Sequence, residues 1–199
     1  MNKLVNFPDF EIISKGNYSE YLAKNDISTF HELIRFVQKI PFGRNSVRNN
    51  FALIFSENKA TCSTKHGFLM EICELNKVTE VELMVGIFLM NENYSPKIKS
   101  ILVEAELDAI PEAHCYFRFS NHRFDFTTEN SEVSSFEPFL IREQRCDSQQ
   151  VFDWKPMIHK NFLEAWLKRK KLNFTLDDIW KIREKCISKL SGSTASYEY

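Results

Sequence analysis

The stretch Thr61-Cys62-Ser63-Thr64-Lys65-His66 runs into Phe68, Leu69, Met70, Ile72, Cys73 and Leu75, a run that reads as a buried helix. Thr61 is the natural N-cap, which sets Cys62 in the first turn. Free backbone N–H groups and the positive end of the helix dipole favour a thiolate over a thiol there. The position therefore suits a cysteine nucleophile. It suits a small residue that merely opens a helix just as well, so the choice depends on finding a base and an acid.

Both are found on a predicted hairpin. Ala113-His114-Cys115-Tyr116-Phe117-Arg118-Phe119 and Arg123-Phe124-Asp125-Phe126-Thr127 flank a turn at Ser120-Asn121. Phe117 and Phe119 share one strand face, and Phe124 and Phe126 share one face of the next strand. Burying these phenylalanines together requires odd positions of the first strand to oppose even positions of the second. The opposite face then carries His114, Tyr116 and Arg118 beside Arg123, Asp125 and Thr127. This register sets His114 next to Asp125, and a slip of one residue would separate them. Cys62 as nucleophile, His114 as base and Asp125 as the acid that orients the imidazole are the parts of an acyl-transfer triad.

Other polar residues bear on the same chemistry. His66 lies four residues after Cys62 and can share its side of the helix, either packed behind the nucleophile or touching a substrate. Cys62, His66, His114 and Cys115 could be grouped as a zinc set, but His114 and Cys115 point to opposite strand faces and Cys62–His66 supplies only two ligands. No metal is assigned. The loop Pro41-Phe42-Gly43-Arg44-Asn45-Ser46-Val47-Arg48 holds two arginines four apart, whose forks suit an anionic substrate group if the loop is more than a solvated turn.

The order of cysteine helix, histidine strand and aspartate strand resembles the transglutaminase-like branch of papain-fold cysteine enzymes. The resemblance rests on Ala60-Thr61-Cys62-Ser63, Ala113-His114-Cys115-Tyr116 and Asp125-Phe126-Thr127, within about residues 50–130. The whole chain is also similar to a small uncharacterised bacterial family with Cys-Ser-Thr-Lys-His, Pro-Glu-Ala-His-Cys and Arg-x-Asp-x-Thr stretches. The resemblance implies an α+β papain-like core, with the cysteine opening a central helix packed on an antiparallel sheet. It further implies acyl transfer through a thioester on Cys62, with a peptide or other amide-containing substrate. Ala60-Thr61 stands where such enzymes usually have a glycine before the cysteine. The usual upstream tryptophan or glutamine of the oxyanion hole has no counterpart; Asn45 is the candidate donor beside the Cys62 N–H. A papain-fold binding module without catalysis is the alternative, and metal binding through Cys62 and His66 a lesser one.

The elements that must position these residues are legible in part. Ser28 or Thr29 caps a helix with apolar positions Phe30, Leu33, Ile34, Val37 and Ile40, which Pro41 stops; His31 falls off that stripe and is expected to face solvent. Phe51 to Phe55 suits a short strand or a helical turn. Val78 to Met90 reads as a strand entering a sheet, Ile98 to Leu107 as a helical piece, and 129–150 as irregular apart from Phe136 to Ile141. Two helices close the chain, around Met157 to Lys170 and from a cap at Thr175. The expected organisation is one domain over 1–190, with a motif-bearing core at about 28–130, a helical extension at about 155–190 and a flexible tail at 191–199. In a chain of 199 residues, 18 phenylalanines and 43% hydrophobic residues supply ample core material. A net charge of −1 gives no field that argues for nucleic acid or an anionic membrane. No apolar run is long enough to span a bilayer and no signal peptide is evident, so a cytoplasmic protein is expected. The five cysteines contain no Cys-x-x-Cys pair and do not suggest a disulfide framework. No cofactor is expected.

Overall fold

The computed structural model describes residues 3–191. After a short N-terminal segment come α1 (Ser19–Lys24), α2 (Phe30–Lys39), α3 (Leu53–Glu57) and α4 (Cys62–Leu75). These are followed by β1 (Glu82–Asn91), α5 (Lys99–Glu104), β2 (Ala109–Phe119), β3 (His122–Phe124) and β4 (Leu140–Cys146), then α6 (Trp154–Lys170) and α7 (Leu176–Ser191). The fold is α+β. All pairings in its four-stranded sheet are antiparallel, in the order β3-β2-β1-β4. Apart from Ser191, the expected tail lies outside the described residues.

Two cores cover the two faces of the sheet. Leu83, Val85 and Ile87 of β1 and Ala113, Cys115 and Phe117 of β2 pack with α2 and α4. Met84, Phe88 and Met90 of β1 and Ile110 and Tyr116 of β2 pack with residues of α5, α6 and α7. The tryptophans sit at 154, 166 and 180, all on α6 and α7. Helix α4 is enclosed almost all round: Thr64, Lys65 and His66 are buried along with Phe68, Leu69, Ile72 and Cys73. A helix buried on all sides is the structural centre of this chain.

Local chemistry explains the element boundaries. Thr29 caps α2 in a reciprocal capping box with Glu32, and the helix stops before Pro41. Helix α4 ends in a Schellman turn: Lys77 takes the left-handed conformation at φ 59°, with Val78 N–H donating to Cys73 O and Lys77 N–H to Glu74 O. That turn consumes Val78 and delays β1, which the alternation alone would start there. Phe51 to Phe55 leads into helix α3. Thr175 and Asp178 hold each other's backbone N–H groups at the start of α7.

Three expectations need correction. Residues 140–146 form an edge strand, so regular structure continues past Ile141 through 142–146, where irregular chain is expected. Its sequence, Leu-Ile-Arg-Glu-Gln-Arg-Cys, hides the strand because most side chains face solvent or ion pairs, so apolar alternation is missing. The second hairpin strand pairs only to Phe124, with Asp125 just beyond the ladder. His31 does not simply face solvent: its Nε2 lies 2.9 Å from Phe7 O and its Nδ1 3.5 Å from Asp9.

The hairpin register itself matches the pattern argument. Phe117 pairs with Phe124 and Arg118 with Arg123, around Ser120 and Asn121, both at positive φ. Because β3 is only three residues long, it leaves the β2 edge around His114 open. That gap is where the candidate site forms.

Candidate active site

Cys62 opens α4, with its helix start fixed by Thr61, whose side chain accepts from Thr64 N–H at 3.3 Å. The cysteine is 9% exposed at the wall of a cleft of about 770 Å³. His114 and Asp125 line the same cleft. The imidazole Nε2 of His114 lies 2.9 Å from Asp125 Oδ2, which leaves Nδ1 as the ring nitrogen available to Cys62. The other oxygen of Asp125 accepts from Thr127 N–H at 2.9 Å and from Thr127 Oγ1–H at 2.6 Å. The carboxylate is thus clamped from both sides. On its far face the His114 ring packs against Phe136, with centroids 5.1 Å apart.

The electrostatics favour a thiolate–imidazolium pair. A hydrogen bond from the Cys115 thiol leads the effects that hold the Cys62 pKa well below its ordinary value; the charges of Lys155 and His114 add to it against the effect of burial. Burial would lower the His114 pKa, but Asp125 and the Cys62 thiolate outweigh it and push the imidazole up to about 10. Burial likewise opposes the charge on Asp125, yet His114 brings its pKa down to about 2. Cys115, buried and donating, goes well above the usual thiol range. With a thiolate, a proton-bearing imidazole and an orienting carboxylate at one cleft, attack on an acyl carbon with proton return to a leaving amine is within this arrangement's chemistry.

His66 sits behind the nucleophile, as one of its two expected places required. Its Nε2 accepts from Phe126 N–H at 3.0 Å, so Nδ1 carries the proton and donates to Cys62 O at 3.0 Å. Burial lowers its pKa to about 4, which keeps it neutral. One neutral ring therefore joins the backbone of the nucleophile to the backbone beside Asp125. Lys65 makes a parallel strut: fully buried, it donates to Ile40 O at 2.5 Å and Thr127 O at 2.6 Å.

The loop residues fare differently. Arg44, Asn45 and Arg48 all line the cleft. Arg44 is engaged by Glu184, donating to its two oxygens at 2.6 and 2.5 Å. Arg48 has no ion pair among the described residues and stays available to an anion. Asn45 directs its amide hydrogens to Lys59 O at 2.8 Å, with Glu57 and Leu53 O near the same nitrogen. Its buried Oδ1, an acceptor, has no partner among the described residues. Asn45 therefore offers an oxyanion no free donor. Among the described residues, no group of three or more His, Cys, Asp or Glu side chains is arranged to hold a metal ion. No described helix is long and apolar enough to cross a membrane.

Sequence reasoning missed two features of the cleft. Lys155, in the first turn of α6, places Nζ 3.7 Å from Cys62 Sγ and 2.6 Å from Ser63 Oγ while only 8% exposed. Nothing in Trp154-Lys155-Pro156 marks this lysine among the 26 basic residues of the chain. Glu112, two residues before His114 on the same strand face, is buried and held by Arg183 of α7 at 2.6 and 2.5 Å. Here a signal existed, since a lone acid inside an apolar strand demands a buried partner. Compared with known proteins, the chain matches no family model, no curated protein and no solved structure.

Proposed function

We propose that this protein is a transglutaminase-like cysteine enzyme with a papain-like core, which transfers acyl groups through a thioester on Cys62. The observation that carries this reading is the convergence of a helix-opening cysteine and a 2.9 Å His114–Asp125 pair on one cleft. In the reaction, the thiolate adds to an amide carbonyl, and the tetrahedral adduct collapses as imidazolium protonates the departing amine. Water or a second amine then cleaves the thioester, with His114 taking its proton. Asp125 keeps Nε2–H of His114 in place and leaves Nδ1 to the sulfur.

The proposed substrate is a peptide, a glutamine side chain or a similar amide, and Arg48, without an ion pair among the described residues, suits an anionic group on it. All five cysteines are free, which suits a reducing compartment, and the cytoplasm is where we place the protein's work. Iodoacetamide labelling tests the reading directly. At pH 7 Cys62 should label faster than in denatured chain, and His114→Ala should abolish that advantage. Equal rates in native and denatured protein would leave a papain-fold binding module as the better description.

A further inference from the structure

The proposed chemistry lacks a donor. Addition of Cys62 to a carbonyl moves the C=O π electrons onto oxygen, and that oxyanion must be met by donors about 3 Å away. The Cys62 N–H is one, because the first-turn amides of a helix have no intrahelical acceptor. Asn45 has no hydrogen to give. Resting on the reading of Cys62 as nucleophile, we propose that Lys155 is a catalytic residue whose ammonium, with the Cys62 N–H, receives the oxyanion of the tetrahedral adduct.

Position, fixation and surroundings all support this. The oxyanion forms two bonds from Sγ, and the ammonium already stands 3.7 Å from that sulfur. Ser63 Oγ accepts one of its three hydrogens at 2.6 Å, so the cation is anchored at the wall of the cleft that Lys155 lines, with two hydrogens left for the sulfur and the oxyanion. With 8% exposure, water does little to screen it, and a preorganised charge in such a place acts strongly on developing negative charge. In the resting state the ammonium faces the thiolate. As the adduct forms, negative charge leaves sulfur for oxygen and the ammonium has only to follow it by the length of that adduct. Collapse restores the C=O, expels the amine with the proton from His114 and returns Lys155 to neutral sulfur in the thioester. The charged groups around Lys155 are Cys62 on α4, Glu112 on β2 and Arg183 on α7, with the protonated Cys115 thiol of β2 beside them; of these only Cys62 belongs to the reacting atoms.

Two probes of one thiol separate this role from simple stabilisation of the thiolate. p-Nitrophenyl acetate acylates Cys62 through an oxyanion and releases nitrophenolate in a burst; iodoacetamide alkylates the same sulfur by displacement, with no oxyanion. Each rate is taken at its high-pH plateau, where the thiol is fully ionised. Lys155→Met should slow acylation about 10²-fold and alkylation by no more than about threefold, in line with loss of one oxyanion donor. Ser63→Ala, which frees the anchor but keeps the charge, should slow acylation about tenfold with alkylation unchanged. It serves as the second variant if Lys155→Met does not fold. Equal losses in both rates, or no loss in acylation, would overturn the role of Lys155 while leaving Cys62 a nucleophile. If the native wild-type protein reacts with neither reagent faster than denatured chain does, the nucleophile reading falls and takes the role of Lys155 with it.

Discussion

At the scale of single residues, the site is a chain of proton positions. Asp125 fixes Nε2–H of His114, the Cys115 thiol with Lys155 and His114 favours Cys62 as thiolate, and His66 stays neutral to tie two backbones together. The Cys62 pKa is lowered, so its labelling should be nearly insensitive to pH where an ordinary thiol is not. A thiol with the usual pKa of about 8.5 loses roughly 80-fold of its thiolate between pH 8 and pH 6. Iodoacetamide labelling of the folded protein should fall less than about threefold over that interval. A decline parallel to that of glutathione, run in the same buffers, would show that no thiolate is held.

At the scale of elements, α7 is attached to the sheet by a buried charge pair rather than by apolar contact alone. Arg183 holds Glu112 with two bonds and packs over Trp180, while His159 of α6 bonds Pro111 O at 2.9 Å beside them. Arg183→Met leaves the Glu112 charge buried without its partner and should cost roughly 3–5 kcal/mol in urea unfolding. The double variant Glu112→Leu/Arg183→Met should recover most of that loss, because an apolar pair needs no counter-charge. A double variant no more stable than the single one would show that the pair is not the joint. The same elements show what sequence alone conveys. Capping at Thr29 and Thr61, the stop at Pro41 and the hairpin register were legible because each is local or follows from a period of two. Strand β4 was not legible, since its partners are charges on distant strands: Glu143 binds Arg118 and Arg123, and Arg145 lies near Glu82. Lys155 was invisible for a related reason, as its meaning comes from a helix packing 93 residues away from Cys62.

At the scale of the whole molecule, stability should respond to acid through two buried neutral histidines. Burial sets His66 and His159 at about 4, against an ordinary value near 6.5. Between those values the unfolded chain binds protons that the folded one refuses. Stability is therefore full above about pH 6.5 and drops as pH falls toward 4, by an amount on the order of several kcal/mol. Asp125, with its pKa lowered to about 2, adds to the loss only below about pH 4. The site pair contributes little slope between pH 6.5 and 9: the folded state keeps on His114 a proton that the unfolded state keeps on Cys62. Urea melts at pH 7, 5.5 and 4 test this, and a midpoint constant across them would contradict it.

The placement of Trp154, Trp166 and Trp180 gives the molecule an internal reporter. Trp166 and Trp180 report on the C-terminal helical layer, and Trp154, beside Lys155, packs against the α4 core, whereas far-ultraviolet circular dichroism averages over every helix. If that layer lifts before the α4 core opens, fluorescence will change at lower urea than ellipticity does, and Cys62 will lose its cationic neighbour while its helix is still intact. Coincident transitions would mean that the two layers share one cooperative unit. In that case a weakened α7 would be felt at the sulfur only through global unfolding.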